Sequence, residues 1–166
     1  MKTLFLDMDG VVSDFNAYAR KILPNSLFDP NTDQSWDSND WITLRSNPRL
    51  YRDIPKTPEA DELVNFSREF CIRNEYQLLF LTAIPKDNDV HWAFYDKVLW
   101  AQKLFPDIPV MFGPHSYHKK LHCRPGDILI DDRNSNVLDW CYAGGFGILH
   151  KGDLVSTIDM LDSICR

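Results

Sequence analysis

Three features of the sequence predict a doubly wound α/β sandwich carrying a small inserted cap. Short apolar runs that stop abruptly at polar residues recur along the chain, stretches with helical spacing alternate with them, and one polar, aromatic-spotted segment interrupts the alternation. Strand and helix in alternation build a mainly parallel sheet with helices on both faces. With 166 residues, the chain fits one compact domain and at most a small appendage. A chain of that size buries roughly two-thirds of its unfolded surface and needs no metal or disulfide to hold a core.

Thr3–Leu6 is the first apolar run, and it ends in Asp7-Met8-Asp9-Gly10. An apolar run this short that stops at polar residues reads as a strand buried on both faces. From about Ala17 to Pro58 the chain is rich in Asn, Asp, Pro and Ser, with Phe28, Trp36, Trp41 and Tyr51 spaced through it. A connection that long is a functional lid or a floppy insertion, and the spaced aromatics favour a small folded cap. The division is therefore a core of residues 1–16 and 57–166 with a cap of residues 17–56. Pro58–Cys71 opens with proline near a helix start and sets Leu63, Val64, Phe66 and Phe70 on one face. Gln77–Leu81 is the second strand. Asp89–Phe105 repeats apolar residues at helical spacing until Pro106 ends it. Ile108–Phe112 and Asp127–Ile130 are the third and fourth strands. Asn134–Ala143 is a helix stopped by Gly144-Gly145, Phe146–Leu149 is the last strand, and Asp153–Ile164 closes the chain.

The charge balance, 24 acids against 18 bases for a net charge of -6, offers no basic cluster for a nucleic-acid polymer. A small phosphorylated substrate needs only two or three local donors and stays compatible. No apolar run approaches the ~20 residues that span a bilayer, so no membrane association is expected. The opening MKTLFLDMDG meets an acid at position 7 and has no signal-peptide core. Cys71, Cys123, Cys141 and Cys165 are scattered, with no CxxC pair, and read as reduced, buried small hydrophobes of a cytoplasmic protein.

In open α/β sheets the active site lies at the carboxyl ends of the strands. The polar residues there are Asp7 and Asp9 after the first strand, Thr82 after the second, and Asp131-Asp132 after the fourth, with Lys119 and Lys120 in the preceding loop. Four acids converging on one edge repel unless a cation sits among them, and oxygen donors with few His or Cys favour Mg2+. A calcium-binding EF-hand starting at Asp7 fails, because its fifth, sixth and twelfth positions are Val11, Val12 and Tyr18. Thr82 by itself would read as a helix cap, and only its place after a buried strand singles it out. The five histidines lack metal-site spacing; His115, His118 and His122 are weak substrate-contact candidates.

Phe5-Leu6-Asp7-Met8-Asp9-Gly10-Val11-Val12 resembles the first motif of the haloacid dehalogenase superfamily, hhhDxDGhh. Leu79-Phe80-Leu81-Thr82 resembles its second motif, Lys119 or Lys120 supplies the lysine of the third, and Gly126–Asp132 resembles the fourth. The stretch from Asp7 to Phe15 is further similar to the DMDGVLADF start of the 5'(3')-deoxyribonucleotidases, as is Leu129–Arg133 to their LLIDDR. Leu50–Pro55 looks like the segment leading from their cap to the core.

The resemblance implies a Rossmann-like core, three layers αβα with a mainly parallel sheet, and a small helical cap inserted after the first strand. It implies a Mg2+-dependent phosphatase with Asp7 as nucleophile and Asp9 as acid and base. Mg2+ would be held by Asp7, the main-chain carbonyl of Asp9, and the Asp131-Asp132 pair. Thr82 and the backbone at Ala83 would hold phosphate oxygens, and the lysine would neutralise charge. The family's KxxxxxPG spacing favours Lys119 over Lys120. Phe15 matches a base-stacking position, although a core role fits it equally. Trp36, Trp41 and Tyr51 either close over a base or form the cap's own core. The implied substrate is a nucleoside 5'- or 3'-monophosphate. A sugar phosphate, another small metabolite, or phosphoryl binding without catalysis are the alternatives, and a homodimer is left open.

Overall fold

A computed structural model describes residues 1–27, 29, 36–85 and 90–165. Phe28 and Asp89, both assigned from the sequence, lie outside the described residues. In chain order the elements are β1 (Lys2–Leu6), α1 (Phe15–Ile22), α2 (Ser38–Arg45), α3 (Ala60–Asn74), β2 (Tyr76–Thr82), α4 (Ala93–Leu104), β3 (Val110–Phe112), a 3-10 helix (Ser116–His122), β4 (Ile128–Asp131), α5 (Asn134–Tyr142), β5 (Phe146–Leu149) and α6 (Leu154–Ser163). The strands form one parallel sheet in the order β3-β2-β1-β4-β5. Leu6 pairs with Phe80 on one side and Ile130 on the other, so β1 is central.

Side chains of a strand alternate between faces, and the sheet divides its core accordingly. Leu4, Leu6, Phe80, Ile128 and Ile130 pack with Leu63 and Phe70 of α3, Trp100 of α4 and Leu161 of α6. Phe5, Leu79, Leu81 and Leu129 face the other way, onto Trp140 of α5. This is the three-layer α/β sandwich, Rossmann-like, that the sequence predicts. No described helix is long and apolar enough to cross a membrane.

Several boundaries move for local reasons. β3 begins at Val110 instead of Ile108, because Ile108 N–H closes a turn to Phe105 O and Pro109 has no N–H to give. β4 starts one residue late, since Asp127 N–H closes a turn onto Arg124 O while its carboxylate accepts from Thr3 N–H at 2.8 Å. α3 runs on to Asn74 and stops where Glu75 turns left-handed at φ 59°. The cysteines are not uniformly buried: Cys141 lies on the outer face of α5 and Cys165 beyond α6, both exposed.

The described residues of the insertion carry two helices. Asp14 caps α1 by accepting from Ala17 N–H at 3.0 Å, so that helix starts at Phe15, two residues before the expected boundary. Asp37 caps α2 in the same way through Asp40 N–H at 2.8 Å. Phe15, Ala19, Trp36, Leu44, Leu50, Tyr51 and Ile54 cluster and continue onto Ile84, Val90 and Ala93 of the core. α4 pins the returning segment of the cap: Trp100 Nε1 donates to Ile54 O at 2.7 Å, and Asp96 pairs with Arg52 at 2.6 Å.

Candidate active site

The chain changes direction in the sheet order between β1 and β4, and at such a switch point the crevice at the strands' carboxyl ends is open to a ligand. Asp7 N–H extends the ladder to Ile130 O at 2.9 Å, which fixes its side chain at the mouth of that crevice. The chain then tightens, with the N–H groups of Val11, Val12 and Ser13 all converging on Met8 O. Gly10 makes this loop feasible. It sits at φ +84°, and a Cβ there would stand 2.3 Å from Asp132 Oδ2. Thr57 clamps the loop from outside, donating its hydroxyl to Val11 O at 2.8 Å.

Asp7, Asp131 and Asp132 bring carboxylate oxygens within 4.8 Å of one another. Asp7 and Asp131 are buried and Asp132 is half-buried. Lys119, also buried, reaches in from the 3-10 helix and bridges Asp7 Oδ1 at 2.8 Å and Asp131 Oδ2 at 2.7 Å. That approach depends on Gly113, where a Cβ would lie 2.9 Å from the Lys119 backbone. Asn136 donates to both oxygens of Asp131, at 2.9 and 3.0 Å, and Arg133 N–H adds a bond of 2.9 Å. Burial pushes the Asp7 carboxyl up to about 7, against the pull of Lys119 and with the repulsion of Asp131 and Asp9. Asp132 is raised well above its ordinary value by burial and then by Asp131 and Asp7. Lys119 is driven upward because the two carboxylates outweigh its desolvation. Three carboxylates thus share one ammonium, and the strain of that imbalance is the physical case for a cation. The donors are hard oxygens without thiol or imidazole, which suits Mg2+.

Asp9 does not join this group through its side chain. Its carboxylate turns to Lys97 on one oxygen and accepts from Ser13 Oγ at 2.9 Å on the other. Lys97, 2% exposed, also donates to Thr82 Oγ1 at 2.9 Å. Its ammonium lies 4.8 Å from the centre of the Tyr51 ring. Two polar clusters result, one built on Asp7 and the other on Asp9.

The remaining expected site residues divide. Ala83 follows Thr82, half-buried, at the end of β2. Lys120 does not enter the site. Successive residues of a 3-10 helix point about 120° apart, so with Lys119 inward Lys120 faces solvent and pairs with Asp139 at 3.0 Å. Phe15 stacks on Tyr51 with ring centres 5.7 Å apart and lies 6.0 Å from Trp41. Phe15, Trp36 and Tyr51 are buried in the cap cluster, and Trp41 is half-buried against it. His122 contacts Phe112 O at 3.1 Å, while His150, fully buried, bonds Thr157 Oγ1 and Glu59.

Lys97 and Asn136 escape a motif-based reading. For Lys97 a signal exists: Ala93, Asp96, Lys97, Trp100 and Ala101 fall at i, i+3, i+4, i+7 and i+8, placing two charges on the buried stripe of α4. For Asn136 the sequence carries no such mark.

No family model matches the chain, and no curated protein matches it in sequence. Among solved structures, a haloacid dehalogenase-like family hydrolase from Xanthomonas campestris aligns over 99% of this chain and 92% of its own, with a TM-score of 0.55. Identity over that alignment is 12%, so what the two share is the fold.

Proposed function

We propose that this chain is a Mg2+-dependent phosphomonoester hydrolase working through an aspartyl-phosphate on Asp7, with nucleoside 5'- or 3'-monophosphates as its substrate class. The observation that carries the reaction type is the buried Asp7 at the end of the central strand, gripped by Lys119 beside Asp131 and Asp132. Asp7, Asp131 and Asp132 would hold the ion, with the Asp9 carbonyl that the motif resemblance adds. When bound, Mg2+ supplies positive charge that lets a carboxylate approach a phosphate dianion.

The chain's own groups do the rest. An Asp7 oxygen attacks phosphorus as the ester P–O bond breaks, and the leaving oxygen takes a proton from the Asp9 carboxyl. Asp9, now ionised, takes a proton from water while the water oxygen attacks the phosphoryl group. The Asp7–phosphorus bond breaks and inorganic phosphate departs. Lys119 holds Asp7 in one orientation. Thr82 Oγ1 accepts from Lys97, so its own proton is directed elsewhere, toward a phosphate oxygen.

The nucleotide assignment draws on the similarity of Asp7–Phe15 and Leu129–Arg133 to the deoxyribonucleotidases and on the aromatic cap. A second reading, a phosphatase of sugar phosphates or other small metabolites, is favoured by the burial of Phe15, Trp36 and Tyr51, which leaves Trp41 as the more accessible stacking ring. A phosphate-release screen across nucleoside monophosphates and sugar phosphates, with Mg2+ and with excess chelator, tests both. Nucleotides turned over fastest, and only with Mg2+, is the expected result; preference for sugar phosphates selects the second reading, and no release from any ester ends both.

A further inference from the structure

Lys97 is a buried ammonium that none of the motifs accounts for. It donates to Asp9 and, at 2.9 Å, to Thr82 Oγ1, and the Tyr51 ring covers it at 4.8 Å. Two of the three protons of the ammonium go to the Asp9 carboxylate and the Thr82 hydroxyl, and the Tyr51 ring lies over the charge, so the groups it holds are part of the chain itself. Asp9 is tied on its second oxygen as well, by Ser13 at 2.9 Å.

The helix carrying Lys97 is itself fixed to the returning segment of the cap. Asp96 holds Arg52 at 2.6 Å and Trp100 holds Ile54 O at 2.7 Å. Tyr51 belongs to the same returning segment. Residues 51–54 thus grip one stripe of α4 at three places, and the middle one is the lysine that sets Asp9.

We infer that Lys97 is a positioning residue that orients the acid–base carboxylate Asp9, with Thr82 Oγ1 as its second anchor and Tyr51 of the cap as its backing. This rests on the phosphatase reading above. A general acid held within hydrogen-bond reach of the leaving oxygen contributes typically 10²–10⁴-fold. A group that only aligns that acid should therefore matter where the leaving oxygen needs a proton and little where it does not.

The test uses the full chain with Mg2+ and the variant Lys97→Met, which keeps the length of the stem and removes the charge. First-turnover release of the alcohol is read for an alkyl phosphate, whose alkoxide must be protonated, and for p-nitrophenyl phosphate, whose phenolate leaves without a proton. The expected loss is about 100-fold for the alkyl ester and less than about fivefold for the aryl ester, with KM changed by less than about threefold. Equal losses on the two esters overturn the inference and leave the phosphatase reading standing. A wild-type chain that releases neither alcohol overturns the reading itself. If Lys97→Met does not fold, judged by thermal unfolding, Tyr51→Leu carries the test, because it removes the ring and keeps the ammonium. About a tenfold loss confined to the alkyl ester supports the inference, and a loss shared by both esters refutes it.

Discussion

Asp7 is costly to keep ionised in this fold, because burial lifts its carboxyl to about 7 against the pull of Lys119. Replacing it with the isosteric amide separates chemistry from folding. Asp7→Asn keeps an oxygen that accepts from Lys119 but removes the nucleophile. Turnover should fall at least about a thousandfold, and thermal stability should hold or rise. Retained phosphate release, with deamidation excluded by mass, would sink the aspartyl-phosphate. Residues of this kind could be read from sequence because each follows a buried strand: Asp7 after β1, Thr82 at the end of β2, Asp131 at the end of β4. Lys119 could be separated from Lys120 only by spacing, and the 3-10 helix supplies the physical reason. Lys97 stayed hidden because it stands 15 positions after Thr82 on a helix whose aromatic stripe reads as plain core; what marked it was a charge where the helical period demands an apolar residue.

Elements with a strong period were legible in type and to within about four residues at their ends, α3 ending at Asn74 instead of Cys71 and α4 starting at Ala93 instead of Asp89, and elements whose shape depends on distant partners were not. The 3-10 helix Ser116–His122 has no amphipathic rhythm, and its course follows from Gly113 and the pull of Asp7 and Asp131 on Lys119. The segment of residues 17–56 stands out by its composition, but the use of its rings does not, since stacking over a base and packing in a core select the same residues. Two substitutions separate these uses. Phe15 is buried between Tyr51 and Trp41, so Phe15→Ala should destabilise the protein by about 3 kcal/mol or more and lower kcat/KM alike for a nucleotide and for a small aryl phosphate. Trp41 is half-buried. Trp41→Ala should cost less stability and weaken nucleotides selectively, by about tenfold for a stacking contact of 1–3 kcal/mol. Denaturant unfolding beside kinetics on the two substrates reads both, and a nucleotide-selective loss from Phe15→Ala would show that Phe15 reaches the base after all.

At the scale of the whole molecule, the acidic cluster makes stability a function of pH and metal together. Asp7 ionises near 3.8 when unfolded and near 7 when folded, so between those values the folded state holds a proton that the unfolded state has lost. Stability then falls as pH rises through that window, and Asp132, raised by the same burial, adds in the same direction. Lys119, shifted upward, is protonated in both states across the window and contributes no slope there. Mg2+ competes with protons for these oxygens, so its stabilisation should grow as pH rises. At 100 times its dissociation constant a ligand adds about 2.7 kcal/mol, which for a chain of this length is about 5–10 °C in Tm. Without the metal, Tm should decline from pH 5 to pH 7.5, and Mg2+ should raise it more at 7.5 than at 5. The net charge of -6 makes any cation mildly stabilising by screening, so the comparison belongs in background salt that shortens the screening length below the spacing of surface charges. Asp131→Asn distinguishes the site from the surface: it changes the total charge by one unit yet should remove most of the Mg2+ shift. A shift equal at both pH values, or one that survives Asp131→Asn intact, would place the metal effect on the surface and leave the buried carboxylates without their cation.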